Sequence, residues 1–284
     1  MADLERTTLC GSLSLHAVSL GQAMHMAGYR ALGLNYFYMP FQLTTEQLPG
    51  AIQGMRALGI RGFGVSMPFK LSVIELLDEL DPLARRIGAV NTIVNDHGRL
   101  TGHNTDAWGA CAALREQMEL EGARVLLLGA GGAARAVGFG LVDAGASVDI
   151  VNRTLARGQA LAAHLSQAQA GTSGSARCVG GLEATAGLDA YDAVVNASSM
   201  GMTDYDGASP IAAASLRPGL VVMDIVYKPI QTELVLRAQA RGATAIHGGR
   251  MLLHQASRQF NLYTGEPAPL AEMDAALQAQ LGSG

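Results

Sequence analysis

The segment that most constrains this chain runs from Arg124 to Ala134. Arg124-Val125-Leu126-Leu127-Leu128 is followed without a break by Gly129-Ala130-Gly131-Gly132-Ala133-Ala134. A continuous apolar run of this kind reads as a strand buried on both faces of a parallel sheet. The glycines mark a place where the backbone must approach something closely. The residues after them carry Val137, Leu141 and Ala144 on one face and read as a helix. Ser147–Val151 is the next strand, completing a strand–helix–strand unit of the usual size of about thirty residues. Further strands are expected at Ala193–Asn196 and Leu220–Ile225.

Such a turn has a chemical use. A phosphate can lie against the backbone only where side chains are absent, and a helix N-terminus offers unpaired N–H donors at the positive end of its dipole. Gly129, Ala130, Gly131, Gly132 and Ala133 are therefore the expected cofactor-binding residues. Ala134 takes the third glycine's place, which the dinucleotide motif allows. A structural turn, or another nucleotide-like ligand such as a methyl donor, is the alternative for the turn taken alone. NAD-binding folds usually end the second strand with Asp or Glu, which holds a ribose hydroxyl. Here that end reads Asn152-Arg153-Thr154, with Arg157 one turn on, while Asp149 lies inside the strand. Guanidinium groups pair bidentately with phosphate, so NADP is preferred over NAD. The plain alternative makes Arg153 and Arg157 solvated helix residues.

Length and composition exclude several other classes. At 284 residues the chain is long for one domain, so two are expected. With 20 basic against 24 acidic residues the net charge is −4, which argues against nucleic-acid binding. Hydrophobic residues at 49% and charged residues at 15% leave enough apolar surface for a sizeable core. Cys10, Cys111 and Cys178 are far apart, so no disulfide framework is expected. The charged start is unlike a signal peptide, and no apolar run is long enough to span a membrane. A cytoplasmic protein is expected. The histidines show no metal-ligand spacing, so no metal site is expected.

Before residue 107, strands are expected at Thr7–Gly11, Asn35–Met39 and Arg61–Ser66, and a helix over Gly21–Leu32. Another helix is expected over Thr44–Leu58, opened by a capping box of Thr44 and Gln47. Val90–Val94 and Arg99–His103 read as a hairpin around Asn95-Asp96-His97-Gly98. His103 reads as exposed on it, and Trp108 as core, from its helical spacing with Cys111 and Met118. Ala168–Ala176 reads as a low-complexity surface loop. Lys70, Asn91 and Asp106 stand where apolar segments end. A lysine beside an aspartate can transfer a proton, and the carboxylate raises the lysine's pKa while burial lowers it. Taken singly, each also fits a surface lysine, a turn residue and a helix cap.

Ser66-Met67-Pro68-Phe69-Lys70, Ala89-Val90-Asn91-Thr92, Gly102-His103-Asn104-Thr105-Asp106, Gly129–Ala133 and Asn152-Arg153-Thr154 occur in this order. Together they resemble the shikimate dehydrogenase family, from Gly11 to about Gly265. That family reduces 3-dehydroshikimate to shikimate with NADPH, and some members act on quinate. The resemblance implies that Lys70 and Asp106 are the catalytic dyad. It implies that Asn91, Ser66, Gln255 and Tyr227 bind substrate, and that Asn196 and Ser198 belong to a loop near the nicotinamide. One departure stands out. The family pattern Gly-x-Pro-x-x-His-Ser-x-Ser, whose serines grip the substrate carboxylate, reads here Gly11-Ser12-Leu13-Ser14-Leu15-His16-Ala17-Val18-Ser19. Ser19 stays in register, Ala17 replaces a serine, and Ser12 and Ser14 form a Ser-x-Ser five residues early. Ser14 and Ser19 are the expected clamp, and the alternative makes Ser12 and Ser14 simply strand-end hydroxyls. A hydrogen bond to a charged group is worth ~1.5–3 kcal/mol, so one lost donor predicts ~10–150-fold poorer use of shikimate. In this respect the chain resembles the divergent shikimate dehydrogenase-like branch.

The expected fold is α/β in two domains: a substrate-binding domain at 1–107, rejoined by helices from 250 to 284, and a Rossmann-type NADP-binding domain at 108–249. The site is expected in a cleft between them. The terminal helices are expected over Met251–Tyr263 and Leu270–Leu281. The partners are a small-molecule substrate and NADP, in a monomer or homodimer. Two alternatives are a quinate or other small hydroxy-acid dehydrogenase, and a non-catalytic sensor of NADP or a metabolite.

Overall fold

The computed structural model describes residues 6–16, 20–167, 173–203 and 208–282. Contacts divide the chain into two compact units, Met1–Thr105 with Gln255–Gly284, and Asp106–His254. These divisions stand against sequence-based boundaries at 107 and 249.

The first unit contains β1 (Thr8–Ser14), α1 (Leu20–Ala31), β2 (Tyr36–Gln42), α2 (Leu48–Leu58), β3 (Gly62–Val65), α3 (Phe69–Ser72), β4 (Glu79–Leu80), α4 (Pro82–Ile87), β5 (Thr92–Asp96) and β6 (Arg99–His103). Its sheet has the order β2-β1-β3-β5-β6-β4. β1 runs parallel to β2 and β3, while β5 is antiparallel to β3 and β6. The turn between β5 and β6 has positive φ at both His97 and Gly98 (53° and 95°), the backbone that a two-residue hairpin needs. A core of Leu13, Ile52, Met55, Phe63, Phe69, Val90, Ile93 and Leu100 packs on one face of the sheet.

The second unit contains α5 (Asp106–Arg115), β7 (Arg124–Leu128), α6 (Gly132–Asp143), β8 (Ser147–Val151), α7 (Leu155–Gln167), β9 (Ser175–Gly180), β10 (Ala193–Asn196), β11 (Val221–Asp224), α8 (Glu233–Ala240) and β12 (Thr244–Ile246). All strands of its sheet are parallel, in the order β12-β11-β10-β7-β8-β9. This is the doubly wound dinucleotide-binding topology, in which the strand order reverses between β7 and β10. The central strands are buried along their length, as their apolar runs require. The boundary between the units falls inside α9 (Gly248–Thr264), and α10 (Leu270–Leu281) closes the chain. No described helix is long and apolar enough to cross a membrane.

Four local expectations are corrected. The second helix starts at Leu48, not Thr44, because Pro49 is tolerated only in a first turn. The Thr44 N–H still donates to Gln47 Oε1 at 2.9 Å, in the turn before the helix. Trp108 is 48% exposed rather than core. The buried stripe of α5 is Ala107, Ala110, Cys111 and Leu114, which packs on Gly140, and Trp108 lies off it. His103 is half-buried, with Nδ1 3.5 Å from Asp81 Oδ2. The loop expected at Ala168–Ala176 gives way to β9 at Ser175, and residues 168–172 lie outside the described residues.

Candidate active site

In the first unit the predicted residues gather at one edge of the sheet. Ser14 ends β1, and Ser66 follows β3, where its N–H donates to the Leu13 carbonyl at 3.0 Å. Antiparallel β5 begins at this same edge, with Asn91 just before it; the Val65 N–H donates to the Asn91 carbonyl at 2.7 Å. Lys70 sits in the first turn of α3, half-buried, and its carbonyl accepts the Val90 N–H at 2.9 Å.

The Asn91 side chain is 1% exposed and binds this edge to the segment that follows β6. Its Oδ1 accepts the Thr105 N–H at 2.8 Å and the Thr92 hydroxyl at 2.8 Å, while Nδ2 donates to Thr105 Oγ1 at 3.0 Å. Asp106 is the next residue, the first of α5, buried at the positive end of the helix. Ser14 donates its hydroxyl proton to the His16 carbonyl at 2.7 Å, so that proton is spent within the chain. Ser66 is exposed. Ala17 and Ser19 lie outside the described residues. Gln255 is half-buried on α9. One turn later, Gln259 sends Nε2 to Thr92 Oγ1 at 3.0 Å and to the Asn91 carbonyl at 3.3 Å. Sequence reasoning missed Gln259. Its one signal was a polar residue at i+4 from Gln255 in an otherwise apolar stripe.

In the second unit the glycine turn leads from β7 into α6. Gly129 has φ +113°, which favours glycine, and its N–H donates to the Val151 carbonyl at 2.9 Å. Gly131 occupies the N-cap of α6 and offers no capping side chain. A Cβ placed on Gly131 or Gly132 would meet nothing within 4 Å. This open cradle at a helix N-terminus fits the pyrophosphate of a dinucleotide, with Gly129, Ala130, Gly131, Gly132 and Ala133 to hold it.

Beyond β8, Asn152 Nδ2 donates to the Thr154 carbonyl at 2.8 Å and shapes the turn. Arg153, Thr154 and Arg157 are exposed beside it, and no described residue pairs with either guanidinium. Asp149 is turned to other work. Burial alone would raise its pKa, but Arg177 at 2.6 Å and the Tyr191 hydroxyl at 2.8 Å hold it below the usual carboxylate range. The strand end therefore offers cations rather than a carboxylate, which fits a 2′-phosphate.

At the end of β10, Asn196 is fully buried. Its Nδ2 donates to the Met200 carbonyl at 2.9 Å and to Asp224 Oδ1 at 3.0 Å, and its Oδ1 accepts the Ser198 hydroxyl at 2.6 Å. Asn196 and Ser198 thus shape the loop after β10 from within. Burial raises the pKa of Asp224, opposed by the Thr232 hydroxyl, the Val226 N–H and Asn196. Tyr227 follows β11, half-buried. Among the described residues, no group of three or more His, Cys, Asp or Glu is placed to hold a metal.

Comparison with known proteins agrees with this geometry. Residues 16–93 match the shikimate dehydrogenase substrate binding domain, residues 112–200 the shikimate/quinate 5-dehydrogenase family, and residues 248–278 the shikimate 5′-dehydrogenase C-terminal domain. The chain is 43% identical over 275 residues to the NADP(+) shikimate dehydrogenase of Natronomonas pharaonis, covering 96% of this chain and 98% of that one. Its structure is similar to shikimate 5-dehydrogenase of Thermus thermophilus, solved with NADP(H) and shikimate, at TM-score 0.84 and 36% identity over 96% of this chain and 99% of that one. It is also similar to 5-ketofructose reductase of a Gluconobacter species, at TM-score 0.87 and 34% identity over 97% and 99% of the two chains. The chain belongs to the shikimate/quinate dehydrogenase family of NADP-dependent oxidoreductases.

Proposed function

We infer that this protein catalyses the reversible NADP-dependent reduction of 3-dehydroshikimate, or a close analogue, to shikimate. The observation that carries the assignment of roles is the Asn91 amide. It joins the sheet edge that carries Lys70 to Thr105, the residue before Asp106.

When bound, the nicotinamide supplies or accepts the hydride at the substrate's ring carbon. Lys70 Nζ gives the proton to the carbonyl oxygen as it becomes a hydroxyl, and takes it back in the reverse direction. Asp106 orients that ammonium. Asn91, Ser66, Gln255 and Tyr227 hold the substrate's hydroxyls. Gly129–Ala133 receive the pyrophosphate on backbone N–H groups, and Asn152, Arg153, Thr154 and Arg157 receive the 2′-phosphate. Asn196 and Ser198 hold the shape of the loop beside the nicotinamide.

A second reading keeps the chemistry and changes the substrate to quinate or another small hydroxy acid. Ala17 has no hydroxyl, and Ser14 spends its proton on His16. Both weaken a carboxylate clamp.

A panel of shikimate, quinate and other hydroxy acids with NADP+, run on wild type and Lys70→Ala, tests both readings. Shikimate should give the highest kcat/KM, and Lys70→Ala should lower kcat ~10²–10⁴-fold. A higher kcat/KM with another acid selects the second reading. Near wild-type turnover in Lys70→Ala removes Lys70 from the mechanism. Tight NADPH binding with no turnover on any panel member would make the protein a sensor.

A further inference from the structure

We propose that Gln259 is a positioning residue for substrate recognition, whose amide sets the direction of a buried hydrogen-bond relay that fixes the orientation of the Asn91 side chain. The proposal rests on the functional reading above, which makes Asn91 a residue that meets substrate.

The relay runs entirely within the first unit. Gln259 projects from α9 and is 4% exposed. Gly64 on β3 leaves room for it, since a Cβ there would stand 3.3 Å from Gln259 Nε2. An amide nitrogen only donates. Thr92 Oγ1, 3.0 Å away, must therefore accept from it. The threonine hydroxyl carries one proton; Asn91 Oδ1 at 2.8 Å is its near acceptor, and Thr105 Oγ1 lies farther off at 3.4 Å. Thr92 is fully buried, so no water competes for that proton.

Asn91 Oδ1 then receives two close donors, the Thr92 hydroxyl and the Thr105 N–H, both at 2.8 Å, with the Thr105 hydroxyl farther off at 3.3 Å. The two close donors decide which end of the amide is oxygen. A half-turn of the amide would set its NH2 group against both and leave buried donors facing donors, at ~1–3 kcal/mol each. Nδ2 is thereby directed at Thr105 Oγ1. Without a donor at Gln259, the Thr92 hydroxyl is free to turn toward Thr105 Oγ1 at 3.4 Å, and the Thr105 N–H is left as the one close donor fixed on Oδ1. Gln259 touches no reacting atom. It acts through Thr92, so its loss should weaken recognition of the substrate and leave the cofactor alone.

The test uses the full-length enzyme with shikimate and NADP+ varied in turn, together with melting temperatures. In Gln259→Glu, which keeps the size of the side chain, the introduced carboxylate accepts only and pulls the Thr92 proton away from Asn91. Gln259→Leu removes the donor, and Thr92→Val removes the hydroxyl. Each should raise KM for shikimate ~10-fold and leave KM for NADP+ within about twofold. Gln259→Leu and Thr92→Val should combine less than multiplicatively, because they break one relay. Unchanged KM for shikimate in soluble, folded variants overturns the proposal, whatever the melting temperature does, and so do multiplicative effects. The ¹⁵N signal of the Asn91 side-chain amide, assigned by its disappearance in Asn91→Asp, gives a readout independent of turnover. It should shift in Gln259→Glu and Gln259→Leu, and an unmoved signal overturns the relay. Absence of shikimate turnover in wild type defeats the functional reading instead, and the amide signal still decides whether Gln259 orients Asn91.

Discussion

Gly129, at the end of β7, and Ala197, just after β10, come so close that a Cβ on the glycine would lie 2.9 Å from the Ala197 carbonyl oxygen. The cause is topological. β7 and β10 are parallel neighbours, but β8 and β9 continue the sheet on one side while β11 and β12 continue it on the other. Connections that leave in opposite directions open a crevice outside the strand ends, which is where such folds bind their ligands. Backbone meets backbone at the floor of that crevice, and two or three residues further along, at Gly131 and Gly132, the space is open.

The contrast between these glycines predicts opposite mutational behaviour. Gly129→Ala forces a side chain into φ +113° and against a carbonyl, at a cost of ~1–3 kcal/mol, and should lower the melting temperature. Gly132→Asp should leave the fold intact, because its Cβ meets nothing and a carboxylate suits a helix N-terminus. That carboxylate would repel the pyrophosphate and raise Kd for NADP+ on the order of 100-fold. Calorimetric melting and titration read the two effects separately. Unimpaired NADP+ binding in Gly132→Asp would remove the cradle from the cofactor site.

The proposed 2′-phosphate site at Arg153 and Arg157 would set the choice of cofactor. Arg153→Ala removes a charge-assisted contact to the 2′-phosphate and should raise KM for NADP+ ~10–100-fold. KM for NAD+, which lacks that phosphate, should stay within about twofold. Equal effects on both cofactors in steady-state assays would contradict the assignment.

His25 should make the first unit acid-sensitive. It is fully buried, stacked on Tyr38 with ring centres 4.4 Å apart, and burial pushes its pKa from 6.5 down to about 4. As pH falls below 6.5 the unfolded chain binds a proton that the folded chain refuses. Stability is fully present above pH 6.5 and declines until about pH 4, by on the order of 3 kcal/mol from this group. Urea unfolding of wild type and His25→Leu at pH 7.5 and pH 5 measures this directly. The wild type should lose about 2 kcal/mol more than the variant between the two conditions. Identical losses would show that His25 is protonated without cost in the folded protein.

The local elements with strong chemical punctuation were legible in the sequence. Arg124–Leu128, Ser147–Val151, Ala193–Asn196 and Leu270–Leu281 have the bounds that the residues predict. Doubly buried strands carry unbroken apolar runs, and the phosphate turn needs adjacent glycines, so both leave marks within a few residues. β4, β9 and β12 carry no such mark. β4 has two residues and β12 three, and residues of intermediate or full exposure line much of β9. Neighbouring strands make these elements, and their own composition does not announce them.

By itself the sequence determined the βαβ core, the glycine turn, the cationic strand end and the motifs that contain Lys70, Asn91 and Asp106, because each is specified by residues adjacent in the chain. Tertiary structure alone decided what those residues face. A Cβ on Gly62 would lie 2.2 Å from the ring of Tyr263, so the glycine exists for a helix far along the chain. Trp108 is exposed because α5 packs on Gly140 through its small residues. The proton of Ser14 goes to His16, and the amide of Gln259 reaches Thr92. Periodicity fixes the faces of a helix or strand, but which partner fills a face depends on packing and hydrogen-bond direction between distant segments, and no local pattern encodes it.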